Sequence, residues 1–197
     1  MIVPCVNPAG TEIALRGALG AGDYKNLVQN VCGGDTARWQ ANARGVDLNH
    51  NYSSGWEELH VNERQNGITG PSQTRYGGEH PESEPETAAM TRLCRENNFI
   101  RALAFHSQGE EIYWKYGENH PENSETLAKA FALSSGYSLS SPEGLAVGGG
   151  FKDWFITEFN RPGFTIEIGK GVNPLPLEDF EKIYNKIENM LFMSVLL

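Results

Sequence analysis

The segment Phe164-Thr165-Ile166-Glu167-Ile168-Gly169 places one carboxylate inside an apolar, β-branched run that reads as a buried strand. A carboxylate there is costly unless it is paired, close to a metal or used in chemistry. Upstream, Phe99-Ile100-Arg101-Ala102-Leu103-Ala104-Phe105 is a second strand-like run, and it leads straight into His106. A histidine at one strand exit and a glutamate near another are the raw material of a hydrolytic metal site. By composition alone, His106 could equally be a hydrogen-bonded core residue, and Glu167 a structural carboxylate paired with an arginine.

The elements that must position these two residues alternate. Residues 2–6 suggest a strand, followed by a turn at Asn7-Pro8-Ala9-Gly10. Residues 22–31 predict a short helix, and residues 33–80 are mostly loop by composition, longer than an ordinary connection. Ser83-x-x-Glu86 spells a capping box, with Pro85 in the first turn of a helix running to about Glu96. The apolar run 99–105 fits the middle of a sheet, residues 111–116 predict another strand, and a helix follows from near Ser124 to Leu133, ended by Gly136. A Ser/Gly-rich loop covers 134–150, residues 151–159 begin as a helical turn, and the spacing of Phe180, Ile183, Tyr184, Ile187 and Leu191 marks a final amphipathic helix. Helices alternating with strands predict an α/β layer structure.

The chain has 197 residues, enough for one domain with a real core, and a formal net charge of -9. That charge disfavours a nucleic-acid partner, which wants a basic face. Cys5, Cys32 and Cys94 form no close-spaced metal pair and no disulfide pattern, which favours a reducing compartment. No basic n-region or long apolar stretch opens the chain, and Met190–Leu197 is too short to span a bilayer. A cytoplasmic protein without membrane contact is therefore expected. Gly148-Gly149-Gly150 lacks the Gly-Lys-Ser/Thr of a phosphate loop and reads as a flexible loop.

A set of ordered motifs goes further. These are Val6-Asn7-Pro8-Ala9-Gly10, the stretch Trp39-Gln40-Ala41-Asn42-Ala43-Arg44-Gly45-Val46-Asp47-Leu48-Asn49-His50-Asn51-Tyr52, and Gly70-Pro71 through Glu86. Phe105-His106-Ser107-Gln108-Gly109-Glu110, Gly149 through Trp154, and Pro162 through Gly169 follow. Together they resemble the C-terminal two-thirds of the catalytic domain of the zinc carboxypeptidase-type (M14) metallopeptidases. The resemblance is strongest to the bacterial γ-D-glutamyl-L-diamino acid endopeptidase branch, which cleaves peptidoglycan stem peptides.

The resemblance implies a three-layer α/β/α sandwich with a mixed sheet, N-terminally incomplete, and a partial catalytic domain over residues 1–197. It implies zinc-dependent hydrolysis of γ-D-glutamyl–diaminopimelate amide bonds, or metallocarboxypeptidase-like cleavage. His106 takes the place of the family's third zinc ligand and Glu167 that of its general base and acid; the offset from Asp153-Trp154 to Glu167 supports the match. The first two ligands of the family form a His-x-x-Glu motif upstream of the turn matched by Asn7–Gly10. No such motif precedes that turn here, so a full Zn2+ site is expected to need residues absent from this chain. His60-Val61-Asn62-Glu63 has that spelling but lies after Asn49, out of family order, in a polar stretch read as an exposed helix or loop.

Asn49 and His50 occupy the Asn-Arg pair with which carboxypeptidases grip a terminal carboxylate, and an imidazole lacks arginine's bidentate fork. Gln40 stands near the place of the oxyanion-assisting arginine; Arg44 and Arg75 are the local alternatives for an anion. Leu145 stands where the family's mobile tyrosine is expected, and Tyr137 is the nearest tyrosine upstream. The expected partner is a peptidoglycan stem peptide, and an incomplete sheet would expose an edge for homo-oligomerisation. The alternative is a catalytically inactive fragment that acts only in peptide binding or assembly.

Overall fold

A computed structural model describes residues Met1–Leu197. The fold is α/β, with a mixed sheet flanked by helices, as in an α/β/α sandwich. The chain divides into two compact units, one made of Met1–Asn98 with Glu143–Trp154, the other of Phe99–Pro142 with Phe155–Leu197.

In the first unit, residues 2–6 form no strand; Ile2 is 89% exposed and finds no ladder partner. The expected turn at Asn7 is instead a helix start. Asn7 Oδ1 accepts from Gly10 N at 2.8 Å, and Pro8 opens helix α1 (Pro8–Arg16), where its missing N–H costs nothing. The Asn7 amide also donates to Gln40 O and Ala41 O, tying α1 to the next segment. A 3-10 stretch, Gly17–Tyr24, leads into α2 (Lys25–Cys32). Ile13, Ala21, Val28, Cys32, Trp39 and Ala41 form the core beneath them.

The long segment expected as loop contains a regular helix, α3 (Trp56–Gln65), which buries Trp56, Leu59 and Glu63 at helical spacing. Helix α4 (Pro85–Glu96) starts where expected, but its capping box does not form. Glu84 is the N-cap and has no side-chain cap bond. Ser83 Oγ donates to its neighbour Glu84 Oε1 and accepts from the distant Asn51 Nδ2, so other partners have taken the hydroxyl.

The second unit holds the sheet. Strands β1 (Ala102–His106), β2 (Glu111–Tyr113), β3 (Ser138–Ser140) and β4 (Gly163–Glu167) lie in the order β1-β4-β2-β3. β1 runs parallel to β4, β2 antiparallel to β4, and β3 parallel to β2, so the sheet is mixed. β1 is an end strand of this order rather than a middle one, and Phe105 on it is 40% exposed. β4 is the central, buried strand its β-branched sequence predicts. Helix α5 (Ser124–Ser135) ends on Gly136 in the left-handed conformation, and α7 (Phe180–Leu196) carries the last amphipathic pattern. Phe131 of α5 meets Phe164 of β4 edge-on at 5.1 Å, and Ile112, Ile166, Ile187 and Met190 close the core around them. Helix α6 (Phe151–Phe159) is a full helix rather than a single turn. No helix is long and apolar enough to cross a membrane.

Candidate active site and anion-binding turn

His106 and Glu167 end their strands as register partners, His106 on β1 opposite Glu167 on the parallel β4. Residues level on adjacent parallel strands share a face, so two separate strand exits bring one imidazole and one carboxyl together. Ile168 N donates to His106 O at 2.7 Å and Gly109 N to Gly169 O at 2.9 Å, carrying the pairing one step past the strands. Glu111 of β2 stands opposite Glu167 on its other side. Burial, and then the Glu111 charge, push the Glu167 carboxyl up to about 7. Tyr113 donates its hydroxyl to Glu111 Oε2 at 3.0 Å, which fixes the neighbouring carboxylate. Tyr137 lies in the core of this unit, 3% exposed, and its hydroxyl accepts from Gly169 N at 3.4 Å.

The other candidate residues belong to the first unit and gather on one 3-10 turn, Leu48–His50. Asp47 organises it. Its Oδ1 accepts from Asn49 N at 3.2 Å, while Oδ2 accepts from Arg75 N at 2.8 Å and from the Thr74 hydroxyl at 3.1 Å. The same hydroxyl lies 2.7 Å from Gln40 Oε1, which brings Gln40 into the network. Arg75 holds a left-handed backbone (φ 67) and an exposed side chain. Asn49 Oδ1 accepts from Phe151 N at 3.0 Å, which commits its amide oxygen. The Arg44 guanidinium lies 3.7 Å from the buried Glu84 carboxylate and is partly committed to it.

His50 is buried, and its Nδ1 lies 3.1 Å from Glu63 Oε1. Glu63 is fully buried; its Oε2 lies 3.0 Å from His60 Nδ1 and accepts from Gly77 N at 3.2 Å. Burial pushes the His50 imidazole down. The Glu63 hydrogen bond and the Asp47 and Glu63 charges push it up further against Arg75, so it ends above its ordinary value. The His-x-x-Glu motif lies on a helix whose Val61 and Asn62 are exposed, but its glutamate is a buried clamp on two imidazoles. The helical spacing of Glu63 with the apolar Trp56 and Leu59 was the available signal, since a glutamate on the buried face of a helix requires partners. Gly149 backs the turn with φ 65; a Cβ there would come within 2.4 Å of Leu59 Cδ2 and 2.7 Å of His50 O.

No three His, Cys, Asp or Glu side chains of the chain assemble into a group able to hold a metal. Catalytic zinc takes three protein ligands and water, so the residues present do not fit a zinc ion by themselves.

The family model described as zinc carboxypeptidase, Peptidase_M14, matches residues 1–190. The γ-D-glutamyl-L-diamino acid endopeptidase 1 of Lysinibacillus sphaericus is 39% identical over 188 residues, covering 94% of this chain and 46% of that protein. Murein peptide amidase A of Escherichia coli K12 is 29% identical over 155 residues, covering 78% of this chain and 51% of that protein. The carboxypeptidase A structure from Helicoverpa armigera shares the fold, with a TM-score of 0.70 at 20% identity over 98% of this chain and 50% of that one. The chain spans about half the length of these relatives. It belongs to the M14 zinc-carboxypeptidase family, in its bacterial amidase and endopeptidase branch.

Proposed function

We propose that this chain carries the proton-transfer and substrate-anion groups of a peptidase that hydrolyses amide bonds in peptidoglycan stem peptides, with the γ-D-glutamyl–diaminopimelate bond as substrate. The observation that carries the reading is the pairing of His106 and Glu167 at adjacent strand exits, with the Glu167 carboxyl raised to about 7. A carboxyl with that affinity for protons is present in both forms at neutral pH. It can accept a proton from the attacking water and return it to the leaving amine. Glu111 sustains this state by opposing the Glu167 charge from the next strand. His106 would be this chain's ligand to the family's zinc, which would polarise the scissile carbonyl; no group of three ligands forms among its own residues. Asn49, His50 and Arg75, with Gln40 and Arg44 beside them, hold the carboxylates of the peptide. Tyr137 supports the Glu167 strand exit through Gly169. The substrate class rests on the similarity to the endopeptidase and the amidase.

The test is cleavage of a γ-D-glutamyl–diaminopimelate dipeptide by a polypeptide that supplies the remaining ligands. Glu167→Gln should leave fold and metal content intact and lower turnover by about 100-fold or more. His106→Ala should lose metal and turnover together. A Glu167→Gln protein that keeps most of its turnover removes this residue from the mechanism.

The absence of a three-residue metal group within the chain favours a second reading, a fragment that binds the peptide without cleaving it. Under that reading the chain alone retains the intact dipeptide, and restoring ligands in a longer polypeptide yields no cleavage.

A further inference from the structure

Helix α3 does something that the hydrolytic reading leaves unused. Its His60-x-x-Glu63 pair lies on the inner side of the helix, with the Glu63 carboxylate fully buried and both its oxygens occupied. His60 stacks on Trp56, ring centroids 4.5 Å apart and planes 13° from parallel, which locks that side of the clamp. The other side holds His50 by Nδ1. A carboxylate on Nδ1 makes that nitrogen the donor and leaves Nε2 as the ring's free polar atom. The His50 side chain is 10% exposed, and its Nε2 has no hydrogen-bond partner and is not sealed from solvent.

We propose that Glu63 is a positioning residue: from helix α3 it fixes the His50 ring so that Nε2 is presented, as a cationic donor, to a carboxylate of the substrate. The inference rests on the reading of Asn49 and His50 as substrate-anion groups. The charged groups around the imidazole are consistent with that role. Asp47 on the same turn and Glu63 on α3 favour its cation, Arg75 on the neighbouring loop opposes it, and His60 shares the Glu63 carboxylate. The segment from Gly149 to Phe151 meets the turn through glycine and backbone and brings no charge: its contacts are Gly149 against His50 O and Phe151 N to Asn49. Arginine carries its charge in any surroundings, whereas an imidazole at neutral pH holds one only where neighbours maintain it. Glu63 is the neighbour with direct contact.

The experiment measures binding of the γ-D-glutamyl–diaminopimelate dipeptide to the full chain by calorimetry from pH 5 to 9, about the range in which a histidine titrates. Alongside it, nitrogen-detected NMR follows the histidine rings. Binding by the wild type should weaken as pH rises through the His50 titration, and adding dipeptide should move the His50 Nε2 resonance. Glu63→Gln should weaken binding about tenfold at pH 7, with recovery as pH is lowered. An equal loss at every pH would reduce Glu63 to a structural support and overturn the inference. If His50→Ala loses binding while a folded Glu63→Gln binds like wild type, the positioning role fails and the anion-site reading stands. If His50→Ala binds unchanged, the reading itself fails and the inference with it. Should Glu63→Gln not fold, the wild type decides: dipeptide that binds and leaves His50 Nε2 unmoved overturns the proposal.

Discussion

Replacing Glu63 by alanine tests the physical account of the clamp through stability alone, without any ligand. The side chain accepts from Gly77 N and lies within hydrogen-bond distance of the Nδ1 atoms of His50 and His60, all from a fully buried position. Truncation strands two imidazole nitrogens and one backbone N–H in the interior. Removing one partner of a buried ionic contact costs about 3–5 kcal/mol, and each donor left unsatisfied costs about 1–3 kcal/mol. These overlap, so the expected loss is about 4 kcal/mol at pH 6. For a chain of this size that is a fall in Tm of about 8–16 °C. The sign of the pH dependence follows from His50. Its folded pKa lies above the ordinary 6.5, so the stability it contributes is fully present below 6.5 and disappears as pH rises through the folded value. The gap between wild type and Glu63→Ala should therefore narrow toward alkaline pH, leaving the share due to neutral hydrogen bonds and packing. Urea denaturation at a series of pH values measures it. A loss below about 1 kcal/mol at pH 6, against the scale for a broken buried pair, would refute the reasoning, as would a gap that does not change with pH.

Gly149→Ala should destabilise the chain by about 2 kcal/mol or more in the same assay, because a Cβ at φ 65 meets Leu59 Cδ2 at 2.4 Å and His50 O at 2.7 Å; a neutral effect would mean the turn yields easily. Glu111→Gln should move the Glu167 titration from about 7 toward the ordinary 4.5, read by carboxyl NMR on metal-free protein, since one of the two causes of the shift is removed and burial remains. Because ionised Glu167 is disfavoured in the fold, stability should fall as pH rises from about 4.5 to about 7. Glu167→Gln should flatten that slope, and an unchanged slope would assign it to other groups.

The sequence made the second unit legible because its signals are local or nearly so. The β-branched run of β4, the glycine that ends α5 and the apolar stripe of α7 each state their structure within a few residues. β3 escaped because Ser138-Leu139-Ser140 has no strand signature of its own and exists by pairing with β2, far away in sequence. Residues 2–6 failed the other way, since an apolar run becomes a strand only with a ladder partner, and here none pairs with it. The candidate site divides along the same line. His106 and Glu167 were recognisable because each ends a strand-like run, and parallel pairing sets them level. The burial of Glu63 was not, because the stretch around it is polar and the partners that satisfy its carboxylate, His50 and Gly77, lie 13 and 14 residues away in sequence.

The anion-binding role proposed for the Leu48–His50 turn depends on Glu63. The exchange of an arginine for His50 looks, in sequence, like a loss of charge and of bidentate geometry. In the structure the imidazole does not stand alone: Asp47 and Glu63 favour its cation from two sides, and Glu63 fixes the ring through Nδ1. What guanidinium chemistry supplies to an arginine by itself is distributed here over three side chains, one of them on another element. A distributed cation is weaker and sensitive to pH, and it offers one donor direction rather than a fork. Such a group suits a single carboxylate oxygen held in one orientation. The selectivity of this turn would then depend on where a carboxylate lies along the peptide and less on its being terminal. It would also depend on Glu63, whose carboxylate is fully buried, as much as on His50.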